Sequence, residues 1–144
     1  MASTALVIEV LGGKGVLGKW PADDASLIEL VRAGLPYRAF ECVLETLGIN
    51  REEAACPLAL PLRTLARRKQ ERRFHADESD RLLRLAHAAA RALEVFEDKQ
   101  KAQHWMRKPN RALGGCAPLE LLDTEIGARQ VEQVLCRIEH GVYS

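Results

Sequence analysis

From Asp24 onward the apolar residues recur three and four positions apart, in short blocks that each close on a helix breaker. In "DDASLIELVRAG" the stripe is Leu27, Ile28 and Val31, with Ser26 as cap and Gly34 as stop. Pro36 opens the next block, which carries Phe40, Val43, Leu44 and Leu47 inward before Gly48 ends it. Asn50 caps "REEAACPLAL", and Glu53 three positions on completes a capping-box spacing, while Pro57 breaks or kinks that helix early. Pro61 suits the first turn of "PLRTLARRKQERR". Asp77 or Ser79 caps a longer helix whose broad apolar face runs through Leu82, Leu83, Leu85, Ala86, Ala89, Ala90, Leu93 and Phe96. Three successive alanines, Ala88 to Ala90, let another helix come close. Asp98 caps a segment through Trp105 and Met106, and "KPNRALGG" is a turn cluster. Leu119, Leu121 and Leu122 make an apolar knot after Pro118. Thr124 caps a final helix that turns Ile126, Val131, Val134, Leu135 and Ile138 inward until Gly141. Aromatic residues are only 5% and β-branched runs are few, which fits the same reading. The expected class is all-α, with helices too short to stand alone sharing one core, and a rigid junction near Arg73 to Ser79.

One stretch pulls the other way. "ALVIEVL" followed by "GGKGVLG" holds G-x-G-x-x-G at Gly13, Gly15 and Gly18. A dinucleotide fold needs the third glycine inside the first turn of a helix that leads to a second strand and an acidic residue. Here Lys19, Trp20 and Pro21 follow, no second strand appears, and Glu41 lies within the helical pattern "YRAFECVLETLG". The run from Ala5 to Leu11 reads equally as a short helix capped by Ser3 or Thr4 and ended by Gly12 and Gly13, the glycines then making a flexible connection. No cofactor is expected.

Charge is uneven. Between Arg63 and His75 six Lys or Arg stand against Glu71 alone, although the whole chain carries only +1. Two short helices followed by "PLRTLARR" suit a helix-turn-helix, whose second helix presents its N-terminal side chains to base edges. Leu62, Arg63, Thr64, Arg67 and Arg68 occupy that first turn and a half. Arg63 or Arg67 suits a bidentate contact to guanine, and Thr64 a base or phosphate. Lys69, Arg72 and Arg73 read as phosphate contacts, and Leu65 as core. Phe74 is the sole nearby aromatic, so duplex DNA is favoured over single strands. The bland alternative is a solvated arginine face.

The four cysteines, Cys42, Cys56, Cys116 and Cys136, form no C-x-x-C pair, and their use fits reduced thiols in a cytoplasmic protein. Cys136 and His140 lie one helical turn apart, but two ligands make a poor metal site, so none is expected. No signal peptide or membrane span is visible. Asp123 with Glu125 lacks the pocket and paired environment that acid–base work needs, His75 with Ser79 lacks a third partner, and the chain is expected not to be an enzyme.

The residues from Gly34 to Arg73, "GLPYRAFECVLETLGINREEAACPLALPLRTLARRKQERR", resemble the Xre-type helix-turn-helix of bacterial antitoxins, and "ESDRLLRLA" resembles the start of the helix that follows it. The second half is the more specific match. Trp105, Pro109-Asn110, Leu113-Gly114-Gly115, Pro118-Leu119, Gly127, Val131, Leu135, Ile138 and Gly141 are spaced as in the Xre/MbcA/ParS toxin-binding domain. "VLGGKGVLG" is similar to the family's lead-in. The resemblance implies residues 1–25 as lead-in, 26–76 as helix-turn-helix domain and 77–144 as toxin-binding domain. It implies the antitoxin of a RES–Xre type II pair, whose toxin consumes NAD or transfers ADP-ribose. The antitoxin would block the toxin's NAD pocket with its C-terminal region and, alone or in complex, bind double-stranded operator DNA to repress its operon. A homodimer within a hetero-oligomeric complex would suit two-fold operators and the Ala-rich helix. By position the blocking residues would be Arg137, Glu139, His140, Gly141, Val142, Tyr143 and Ser144, with Trp105, Asn110 and Leu113 also in the toxin-binding part. A terminal carboxylate at Ser144 would pair with an NAD-binding arginine, and Tyr143 would fill the apolar part. The sequence departs from the family pattern at Pro57, where an apolar helix residue is usual, and at Ala59, where a turn glycine is expected. Those departures bear on DNA binding rather than on toxin binding. A helix-turn-helix regulator without a toxin, and a small nucleotide-binding enzyme built on the glycine loop, are the rival readings.

Overall fold

The computed structural model describes residues 2–141. Nine α-helices are described: α1 Thr4–Val10, α2 Gly13–Leu17, α3 Asp24–Ala33, α4 Tyr37–Leu47, α5 Arg51–Leu58, α6 Leu62–Glu71, α7 Ala76–Phe96, α8 Lys99–Arg107 and α9 Glu125–Glu139. Two 3₁₀ turns, Arg111–Leu113 and Pro118–Leu121, fill the gap before α9. There is no β-strand among the described residues; Pro36 and Arg73 form one isolated antiparallel bridge. The all-α expectation therefore holds.

α7, at 21 residues, is the axle of the structure. It packs against α1, α3, α4, α5, α8 and α9. That many neighbours demand apolar residues around most of its girth, and Leu82, Leu85, Ala86, Ala89, Ala90 and Ala92 are all buried. The alanine stretch is thus largely covered by the chain's own helices. A single buried cluster runs from Val7 and Ile8 through Phe40, Leu58 and Leu65 to Met106, Leu122 and Leu135. Tyr37, Phe40 and Phe74 form an aromatic nest with ring centroids 5.3–5.6 Å apart. Around it Phe74 N–H donates to Leu35 O and Tyr37 N–H to Arg72 O, closing the junction between α6 and α7 onto the start of α4.

Several caps form where the residue types require them. The Asn50 side chain accepts from Glu53 N–H and Glu53 accepts from Asn50 N–H. Asp98 caps α8 through Lys101 N–H, and Thr124 caps α9 through Gly127 N–H. Other local expectations are corrected. α3 is capped by Asp23, whose carboxylate takes Ser26 N–H, so Ser26 lies inside the helix. α7 begins at Ala76 with His75 as cap residue, because Glu78 accepts from His75 N–H; Ser79 instead accepts from Leu35 N–H across the core. Ile28 and Ile126 point outward, at 49% and 68% exposure. The inward stripe of α3 passes through Leu27 with Leu30, while Val31 is half-buried at the groove beside it, and that of α9 passes through Val131, Val134 and Leu135. The glycine segment is not a loose connection. Gly13–Leu17 is a one-turn helix, preceded by the Ser3-capped α1 rather than a strand, so the phosphate-loop arrangement is not formed.

Candidate functional site

The turn between α5 and α6 runs through Ala59, whose φ of 52° is left-handed. An L-residue there costs roughly 1–2 kcal/mol relative to glycine, so the departure at Ala59 strains a turn that still forms. Pro57 is accommodated as the next-to-last residue of α5. The strained turn is held from outside by Arg81 of α7, whose Nε donates to Leu58 O at 2.6 Å.

Leu65 and Arg68 are the two buried residues of α6, which packs on α5 and is tied to α7 through Arg68. Arg68, expected to contact DNA, is corrected to a structural role. Its guanidinium donates to Glu78 Oε1 at 2.7 Å and Oε2 at 2.9 Å and to Glu71 at 2.8 Å. The Glu78 hydrogen bond holds the guanidinium charged despite its burial. Burial pushes the Glu78 carboxyl up, but Arg68 and the His75 N–H outweigh it and keep the group below the usual carboxylate range. Arg73 is also engaged, its Nη1 donating to Gly34 O at 2.6 Å. With Leu65 and Arg68 turned inward, Leu62, Arg63, Arg67, Lys69 and Arg72 are exposed and Thr64 is half-buried. The basic run is therefore partitioned. Its buried arginine orients α6, and its exposed cations form a charged surface able to meet phosphates and base edges.

At the other end, the Phe96 and Trp105 rings lie 5.7 Å apart and the tryptophan is half-buried. Asn110 organises the "PNRALGG" turn: its side chain accepts from Ala112 N–H and its backbone carbonyl from Gly115 N–H. Leu113 is buried. Asn110 and Leu113 lie in this turn, and the first 3₁₀ segment packs on α9. α8 also reaches back to the other half: Arg107 pairs with Glu53 at 3.0 Å, and Gln103 donates to Thr46 O.

The end of α9 exposes Arg137, His140 and Gly141. Glu139, expected to face a partner, spends its carboxylate inside the chain on Arg91. Val142, Tyr143 and Ser144 lie outside the described residues. Arg91, Glu132, Glu78 and Arg81 were not anticipated as site-forming residues. The one available signal was a lone arginine embedded in the apolar run "AAARALEVF". His140 Nδ1 lies 3.6 Å from Cys136 Sγ and 2.7 Å from Cys136 O. Among the described residues no group of three or more His, Cys, Asp or Glu is placed to hold a metal, and no helix is long and apolar enough to cross a membrane.

Two open grooves flank α7. One, of about 560 Å³, lies between α7 and α9 and is lined by Leu83, His87, Ala128, Val131 and Leu135 among others. The second, of about 540 Å³, lies against α3 and includes Leu27, Ile28 and Val31. They meet at Asp80 and Leu83.

Residues 26–87 match the model of the antitoxin Xre-like helix-turn-helix domain, and residues 91–141 that of the antitoxin Xre/MbcA/ParS C-terminal toxin-binding domain. Proteins named "Antitoxin Xre" are similar to the chain. The one from Pseudomonas putida is 42% identical over 57% of this chain, a match that spans only about half (52%) of that relative's length. Those from Photorhabdus laumondii and Yersinia enterocolitica are each 33% identical, over 80% and 82% of this chain and 79% and 81% of theirs.

Proposed function

The chain belongs to the Xre antitoxin family, and from that premise we propose that it neutralises a RES-type toxin and represses its own operon. In this reading the end of α9 and the residues after it enter the toxin's NAD pocket and exclude the nucleotide. Exposed Arg137, His140 and Gly141 would contact the pocket rim, and Val142, Tyr143 and Ser144 would fill it. The observation that carries the reading is the matched toxin-binding domain, which ends at the exposed terminus of α9. Trp105, Asn110 and Leu113 would act by shaping the segment that α9 packs on.

Operator binding would use the exposed face of α6. Arg63 and Arg67 would read guanine, Thr64 a base or phosphate, and Lys69 and Arg72 phosphates, with Leu62 against a base edge. Each lost base contact is expected to cost about 1–3 kcal/mol of operator affinity.

Two-fold operators call for two copies. The apolar grooves beside α7, lined by Leu27, Ile28 and Val31 on one side and by Leu83, Ala128 and Leu135 on the other, would take a second copy of this chain. A sedimentation mass of one chain at micromolar concentration would refute the dimer.

The deciding experiment co-expresses the chain with the neighbouring toxin gene and measures NAD consumption. Deleting Val142–Ser144 should abolish protection while the melting temperature and the operator gel shift stay unchanged. Arg63→Ala with Arg67→Ala should do the reverse. Full protection by the truncated chain would sink pocket occlusion. A chain that binds operator but ignores every toxin would be a regulator alone.

A further inference from the structure

Resting on the toxin-binding reading, we propose that Arg91 is a positioning residue that aims the end of α9 at the toxin without touching it. Its side chain is 6% exposed, in the C-terminal third of α7. Nη1 and Nη2 donate to the two carboxylate oxygens of Glu139 at 2.9 and 2.7 Å, and Nε donates to Glu132 at 2.9 Å. Glu94 contributes a third carboxylate at 3.8 Å, and its other oxygen accepts from Ser3 N–H, tying in the start of α1.

Two features make this more than a generic ion pair. Glu139 is the last residue of α9, where the unpaired carbonyls already concentrate negative charge. A carboxylate there works against the helix dipole, and a helix end without a partner frays. Arg91 reverses both tendencies, and the carboxyl of Glu139 is held below its ordinary range by those hydrogen bonds. Glu132 and Glu139 are two turns apart on one face, so a single planar guanidinium grips the helix at two points. The second grip lies one residue before His140 and two before exposed Gly141. A residue as deep as Arg91 reaches a partner protein only through what it holds.

The test uses the full chain as Arg91→Lys, Arg91→Met and Glu139→Gln, with amide hydrogen exchange of the free protein, and affinity for a purified RES-type toxin and for operator DNA. Loss of the fork should speed exchange of the 137–141 amides about tenfold and weaken toxin binding at least tenfold, since each charge-assisted bond is worth that order. Operator affinity should stay within about twofold, and Arg91→Lys should retain more toxin binding than Arg91→Met. Where the methionine variant fails to fold, Glu139→Gln carries the same comparison, its side chain being 39% exposed. Wild-type affinity for toxin in the Arg91→Lys and Glu139→Gln chains, or unchanged exchange at the helix end, would overturn the proposal alone. A wild-type chain that binds no toxin would overturn the toxin-binding reading and the proposal with it.

Discussion

Replacing Glu78 by alanine should destabilise the protein by about 3–5 kcal/mol, a large share of the stability of a domain this size. The residue is buried at 4% exposure and satisfies three donors at once: two guanidinium nitrogens of Arg68 and the amide that starts α7. Without it a desolvated guanidinium keeps only Glu71, whose side chain is half exposed, as a charged partner, and a 3.3 Å contact to His75 Nδ1. Replacing both partners, Arg68→Met with Glu78→Leu, should lose far less, because no buried charge is then left unpaired. Urea titration separates the two cases. The same pair gives an acid limb. The Glu78 carboxyl lies below its ordinary range in the folded chain. Its contribution is therefore complete above the unfolded value of about 4.3 and is lost as pH falls through the lower folded value. A melting curve from pH 6 to pH 3 should show that loss in the wild type and less of it in Glu78→Gln. Because Arg68 faces α7 rather than solvent, Arg68→Ala should also abolish the operator gel shift by loosening α6. Restoration of the shift in the Arg68→Met, Glu78→Leu chain would separate orientation from contact. A stable Glu78→Ala chain would show that the ion pair does not anchor α6.

That pair marks the boundary of what sequence reveals. Asn50 with Glu53, Asp98 and Thr124 were legible because a cap is decided within four residues by side-chain length and an oxygen acceptor. Asp23 and His75 were missed by two to four positions because rival acceptors stood beside them, and which one captures the first free amide depends on where the chain enters. The α6 basic run was visible, but not the inward turn of Arg68, since its partner Glu78 sits on another helix. The contact from Arg91 to Glu139 spans 48 positions and leaves no periodic trace. The boundary expected at residue 76 falls where α7 begins, and α7 packs on helices from both sides of it. Long-range packing, not local preference, fixes which charged residues remain free for a partner.

Gly127 shows the same logic at the smallest scale, and Gly127→Ala should cost about 3 kcal/mol, the upper end of what overpacking usually does. Its spacing from Thr124 and Val131 belongs to the toxin-binding pattern, yet its backbone is ordinary right-handed helix; conformational freedom is not the reason for the glycine. A Cβ at this position would collide with the carbonyl oxygen of Leu121, at the end of the second 3₁₀ turn. Backbone cannot swing aside as a side chain can. The turn itself packs on α5, α8 and α9, so the methyl must displace α9. Val131 and Leu135 would lose contacts against α7, and the grip of Arg91 on Glu132 would lengthen. Toxin affinity should therefore fall more than operator affinity, because the α6 surface belongs to a helix that packs on α5. Ile126→Ala next door is the control, within about 0.5 kcal/mol of the wild type because that side chain is 68% exposed. Equal urea midpoints for Gly127→Ala and Ile126→Ala would mean that α9 is not seated against the turn, and the aim of its C-terminal end would need another cause.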